Sequence, residues 1–136
     1  MKRSRKTMIA AGLTFTAALQ QARADVVVIV SAQSAAKVTA KEISLVYLGA
    51  RNTLTPFDIA GPSVTRREFY TKVIGKDEAQ VKARWSKLVF TGKGSAPREL
   101  PSGADVVKAV AADPHAIGYV DSSFLNITVK VVLKVK

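Results

Sequence analysis

Gly61-Pro-Ser-Val-Thr-Arg-Arg-Glu-Phe-Tyr-Thr-Lys-Val-Ile-Gly75, continued by Lys76-Asp-Glu-Ala-Gln-Val-Lys-Ala-Arg-Trp-Ser-Lys-Leu-Val-Phe-Thr-Gly-Lys-Gly94, is the stretch whose reading decides the fold. Gly61 and Pro62 break whatever precedes them, and Ser63 offers a hydroxyl to the orphan amides of a first helical turn; Thr65 with Glu68 offers a second capping box. Phe69/Val73 and Tyr70/Ile74 fall at i,i+4 spacing, which predicts a helix from about Val64 to Ile74 that Gly75 ends. Asp77 with Gln80 then caps a second helix, in which Val81, Trp85 and Leu88 share one face and Lys82, Arg84 and Lys87 point elsewhere. A helix start of this kind, with Arg66 and Arg67 beside it, suits a small anion. Ser63 can equally serve as a cap and nothing more.

Upstream of this stretch, Asp25-Val-Val-Val-Ile-Val30 is a β-branched run with the pattern of a strand buried on both faces of an α/β sheet. Thr39 and Glu42 form a capping box, and Ile43, Val46 and Tyr47 give one apolar helical face ending at Gly49. Pro56 to Ala60 reads as a short second strand, with Pro56 admitted at its start. Downstream, Ser102 with Asp105 caps a helix that turns Val106, Val107, Val110 and Ala111 inward and stops before Asp113-Pro114. Ala116-Ile-Gly-Tyr-Val120 is a strand, and Val129 to Lys136, where Val and Leu largely alternate with Lys, reads as a solvent-facing or edge strand.

The chain begins with a different chemistry. Met1 to Lys6 is basic, Thr7 to Leu19 is mostly apolar but short for a membrane span, and Ala22-Arg23-Ala24 has the small-x-small form of a signal-peptidase site. The expected domains are therefore a signal peptide, 1–24, and one mature domain, 25–136, in the periplasm or secreted. Removal of the leader takes away five cations and no acid, so a net charge of +11 becomes +6. The 136 residues less 24 leave 112, enough for one core. The chain has no Cys, which excludes disulfides and thiolate metal sites. A moderately basic exported domain favours anionic partners, and without an aromatic-basic stripe it gives no case for nucleic acid.

Chemistry-bearing residues are few. The single histidine, His115, follows Pro114 in a turn, and no G-x-S-x-G surrounds any serine, so an enzymatic function is not expected and no cofactor or metal is called for. Asp58 and Asp121 could meet at strand ends. Phe90-Thr-Gly-Lys-Gly94 lacks Walker A spacing; Lys93, with Arg98, either brings positive charge near a site or sits on an ordinary glycine turn.

Val26 to Val30, the helix ending Leu45-Val-Tyr-Leu-Gly49, Gly61-Pro-Ser-Val-Thr65 with Phe69, Trp85, Phe90 to Gly94, and Ala116 to Val120 follow one another in an order that resembles the phosphate-binding proteins of ABC importers. The resemblance covers nearly all of 25–136. It implies an α/β, single-lobe domain of the type 2 periplasmic-binding-protein kind, an open mixed sheet with helices on both faces. It also implies an oxyanion such as phosphate held at the helix start by Ser63, Val64, Thr65 and Arg66, with Lys93 adding field. Ser63 and Thr65 match the family's Asp-Gly-Ser-Gly-Thr, whereas Gly61 stands for its Asp, Val64 for its second Gly, and Ile59 for a preceding arginine. Losing that arginine removes a bidentate clamp and implies weak binding. Two functions follow as expectations: an extracytoplasmic phosphate- or oxyanion-binding module working with an ABC permease, or a non-ligand-binding envelope interaction protein that retains the fold. The export reading predicts that the mature protein starts at Asp25, which mass spectrometry of the envelope fraction checks; an intact Met1 form confined to the cytoplasm would refute it.

Overall fold

A computed structural model describes residues 25–136; the leader expected at 1–24 lies outside the described residues. The order is β1 (Val26–Ser31), α1 (Ala40–Tyr47), β2 (Thr55–Ile59), α2 (Val64–Phe69) running on into a π-helical turn (Tyr70–Ile74), α3 (Glu78–Phe90), β3 (Arg98–Leu100), α4 (Gly103–Ala111), β4 (Ala116–Asp121) and β5 (Val129–Lys134). The strands make one sheet in the order β3-β2-β4-β1-β5. β2 runs parallel to β3 and β4, while β1 is antiparallel to both β4 and β5, so the sheet is mixed. Among the described residues, no helix is long and apolar enough to cross a membrane.

β1 is buried along its whole length, as its unbroken β-branched run requires of a strand covered on both faces. The two faces of β4 show how they are covered. Tyr119 stacks on Phe69 of α2, centroids 4.0 Å apart, and Phe69 meets Tyr47 of α1 edge to face at 4.8 Å. Its neighbour Gly118 points the other way, where an added Cβ would lie 2.6 Å from Val106 and 2.9 Å from Val110 of α4. Helices therefore pack on both sides, and Gly118 is what lets α4 approach so closely. β5 is the edge strand that its lysines foreshadow, with Lys130 and Lys134 exposed.

The caps at Thr39, Asp77 and Ser102 form as the sequence indicates, the first two as full capping boxes. The helix after Ser63 starts and stops where the sequence indicates, with Ser63 rather than the alternative Thr65 as its cap and Gly75 ending it at φ 74°. It differs in widening at Tyr70, where Gly75 N–H closes a π turn on Tyr70 O at 2.8 Å. The extra residue in that turn leaves Val73 only half buried and sets consecutive Phe69 and Tyr70 into the core with Ile74. β3 is an element that the sequence reading leaves as loop, being three residues long with only one of them apolar.

Trp85 anchors α3. Its ring is 9% exposed, its Nε1–H donates to Tyr47 O at 2.9 Å, and it packs over Gly49, whose φ of 75° permits the turn after α1. Trp85→Ala is expected to cost about 3–5 kcal/mol and exposed Lys82→Ala little. Urea midpoints of the two variants check this.

Candidate functional site

The penultimate residue of β2 is charged and has nowhere polar to go but its neighbours. Asp58 is 2% exposed, the one acid among the buried side chains of the described residues. Its Oδ1 accepts from the Tyr119 hydroxyl and, at 2.9 Å, from Ile59 N–H; its Oδ2 accepts from the Tyr70 hydroxyl, and Arg66 Nη2 stands 3.9 Å away. Burial pushes the Asp58 carboxyl above its ordinary range, and the two tyrosine donors and Arg66 offset part of that. The same burial, with the Asp58 charge adding to it, raises both tyrosine hydroxyls well above the usual phenol value, so both stay protonated as donors.

Arg66 of α2 reaches back across this cluster. Its Nη1 donates to Ile59 O at 2.9 Å and to Glu99 Oε1 of β3 at 2.8 Å, and its guanidinium lies 5.1 Å from the Tyr70 ring centroid. Burial works against the Arg66 charge, but Glu99 and Asp58 more than compensate, so it stays cationic at all ordinary pH. Its Nε is buried with no hydrogen-bond partner among the described residues; Glu78 of α3 lies 3.9 Å from it. These residues form the floor of a cleft of about 920 Å³. Trp85, Val89 and Phe90 of α3 wall one side and Ala96, Pro97 and Glu99 the other.

The residues expected at an oxyanion site divide. Ser63, Val64, Thr65 and Arg66 do come together at one helix start, just beyond the carboxyl end of β2. Ser63 Oγ accepts from Arg66 N–H at 3.2 Å as a cap, which leaves its own O–H to donate. Val64 is exposed and offers only its backbone; among the described residues neither its amide nor that of Thr65 takes a backbone partner. The Arg66 guanidinium, by contrast, turns inward to the carboxylates. Lys93 lies on the exposed turn after α3, and neither it nor Arg98 of β3 lines the cleft. Asp58 and Asp121 do not pair: Asp121 caps the short 3-10 turn Ser122–Phe124 by accepting from Ser123 N–H, at the far end of β4 from where that strand meets β2. Tyr70, read from sequence as part of an apolar helix face, and Tyr119, read only as a strand residue, are the true partners of Asp58. A lone acid in an otherwise apolar strand was the signal available for them. Among the described residues, no cluster of three or more His, Asp or Glu is placed to hold a metal.

This architecture recurs in solved structures. An ABC-type phosphate transport receptor from Vibrio cholerae matches 79% of this chain at 13% identity, TM-score 0.61. The fold is shared with phosphate transport receptors. A putative phosphate ABC transporter substrate-binding protein with bound phosphate, from Clostridium perfringens, matches the same share at 19% identity and TM-score 0.59, and PstS from Borrelia burgdorferi at 11% and 0.58. The chain spans less than half of each of these, 45%, 44% and 46% of their lengths. No family model matches the chain, and no curated protein does.

A carboxyl whose folded-state pKa is raised adds stability that is fully present below its unfolded value, near 3.9, and is lost as pH rises through the folded value. Asp58→Asn removes that titration. The stability of the wild type relative to Asp58→Asn is therefore expected to be larger near pH ~4 than near pH ~7. Thermal melts of both proteins across that range check it, and a gap that narrows on acidification would mean that the tyrosines and Arg66 hold the carboxylate in its charged form.

Proposed function

We propose that this chain is an extracytoplasmic module of the solute-binding type that holds a small oxyanion, phosphate being the reference ligand, at the start of α2. The observation that carries this is position: Ser63 to Thr65 follow β2 directly, at the carboxyl edge of the parallel strands β3-β2-β4, where α/β sheets present helix starts to ligands. The free amides of Val64 and Thr65 and the hydroxyls of Ser63 and Thr65 supply donors there. The fold shared with phosphate receptors, one of them solved with phosphate bound, supports the ligand class. Arg66 spends its charge on Glu99 and Asp58, and Lys93 adds field at most, so the donors act without a clamp. A Kd no tighter than roughly the micromolar range follows, about 8 kcal/mol of binding free energy. The partner in this reading is an ABC permease; the protein performs no catalysis. The same neutralised Arg66 favours a second reading, a protein that keeps the fold for interaction within the envelope.

At a hundred times its Kd, phosphate would add about 2.7 kcal/mol, a rise in Tm on the order of ten degrees for a domain of this size. Melts in phosphate and sulfate against chloride at matched ionic strength separate binding from screening. Ser63→Ala is expected to lower the chloride Tm by removing the cap and to reduce the phosphate shift. Equal melting temperatures in millimolar phosphate and chloride would remove the oxyanion reading, and a shift that survives Ser63→Ala would move the site elsewhere.

A further inference from the structure

We propose that the cleft between β3 and α3 is a second site, independent of the oxyanion reading, that takes an extended peptide segment carrying an apolar and a basic side chain, added as a strand to the free edge of β3. Among the described residues, β3 ends the sheet and pairs only with β2. Leu100 O accepts from Ala60 N–H at 2.9 Å, so Leu100 turns its backbone groups toward β2. Backbone groups of successive strand residues point to opposite edges, so the N–H and C=O of Glu99 face outward, and neither takes a backbone partner among the described residues. An open edge of this kind is what an incoming strand pairs with.

Three further features select the occupant. The α3 wall is apolar and uncovered: Val89 is 50% and Phe90 93% exposed, beside the edge of Trp85 and facing Pro97. The Arg66 guanidinium in the floor is held among three acids, Glu99 at 2.8 Å and Asp58 and Glu78 at 3.9 Å, so an anionic ligand would meet carboxylates there rather than a free cation. Glu78 and Glu99 are partly exposed, 40% and 51%, so their outer oxygens face solvent at the cleft, against one cation, Lys82, on the α3 wall. Main-chain pairing to Glu99, an apolar side chain against Val89 and Phe90, and a basic one toward Glu78 and Glu99 satisfy all of these together. The last two lie two residues apart on the incoming strand, the spacing that puts both on one face. Pro97 and Pro101, two residues either side of Glu99, both lack an amide and limit the main-chain pairing to Glu99 itself.

The chain has a single tryptophan, and it lines this cleft, so Trp85 emission reports occupancy. The probe is a short capped peptide in which valine and lysine stand two apart among threonines, compared with its counterpart carrying glutamate for lysine. The lysine peptide is expected to shift Trp85 emission at submillimolar concentration, to bind about tenfold more tightly than the glutamate peptide, and to slow hydrogen exchange at the Glu99 amide. Glu78→Lys should narrow or reverse the preference. Val89→Lys, on an exposed position, should abolish binding while leaving the phosphate response of the melting temperature as it was, so failure here is distinguishable from failure of the oxyanion site. Equal affinity for the two peptides, no emission change at millimolar peptide, or an emission change without slowed exchange at Glu99 would overturn the proposal.

Discussion

The structure depends on a buried carboxylate. Burying Asp58 near the end of β2 costs several kcal/mol of desolvation unless every oxygen finds a donor, and the donors come from three different elements. Tyr119 ties Asp58 to β4, Tyr70 ties it to the π turn after α2, and Arg66 brings α2 and, through Glu99, β3 to the same point. A local requirement for hydrogen bonding thus fixes the relative positions of two parallel strands and the helix that leaves them. The aromatic stack of Tyr119 on Phe69, with Tyr47 at its edge, fills the space behind the cluster with apolar area, so the donors are held in place by packing as well as by their bonds.

That arrangement decides what Arg66 can do. An arginine at a helix start is an anion ligand when its guanidinium points out along the helix and a structural cation when it folds back. Here it folds back, because Ile59 O, Glu99 and Asp58 offer acceptors that desolvation would otherwise leave unpaired. The helix start keeps its amides and hydroxyls but gives up its strongest charge. The cleft beside it gains a floor in which one donor, Arg66 Nε, is left without a partner. The π turn belongs to the same economy of space: one additional residue at Tyr70 lets its hydroxyl reach Asp58 while Phe69 stays in the stack.

Much of this was legible in the chain. The β1 run, the capping boxes at Thr39 and Asp77, the Ser102 cap, Gly49 and Gly75 as helix ends, and the lysine-protected β5 are local patterns, set by side chains within a few residues of the backbone they act on. The mixed sheet with helices on both faces was reached through the order of the motifs, and the shared architecture of phosphate receptors agrees with it. β3 was missed because a three-residue strand carries too few residues for a period to register. The π turn was missed because i,i+4 pairs at Phe69/Val73 and Tyr70/Ile74 read as an ordinary helix.

The sequence by itself determined where helices begin and end, which faces are apolar, that no thiol chemistry is available, and that a helix start rich in hydroxyls follows the second strand. Only the tertiary structure decided the partners of charged groups. Asp58 lies 12 residues from Tyr70 and 61 from Tyr119, and Arg66 lies 33 from Glu99. Contacts at such separations are set by strand order and register, which a short window of sequence does not contain. The direction of Arg66, and with it the choice between an anion clamp and a structural cation, was therefore fixed by the sheet that brought its acids together.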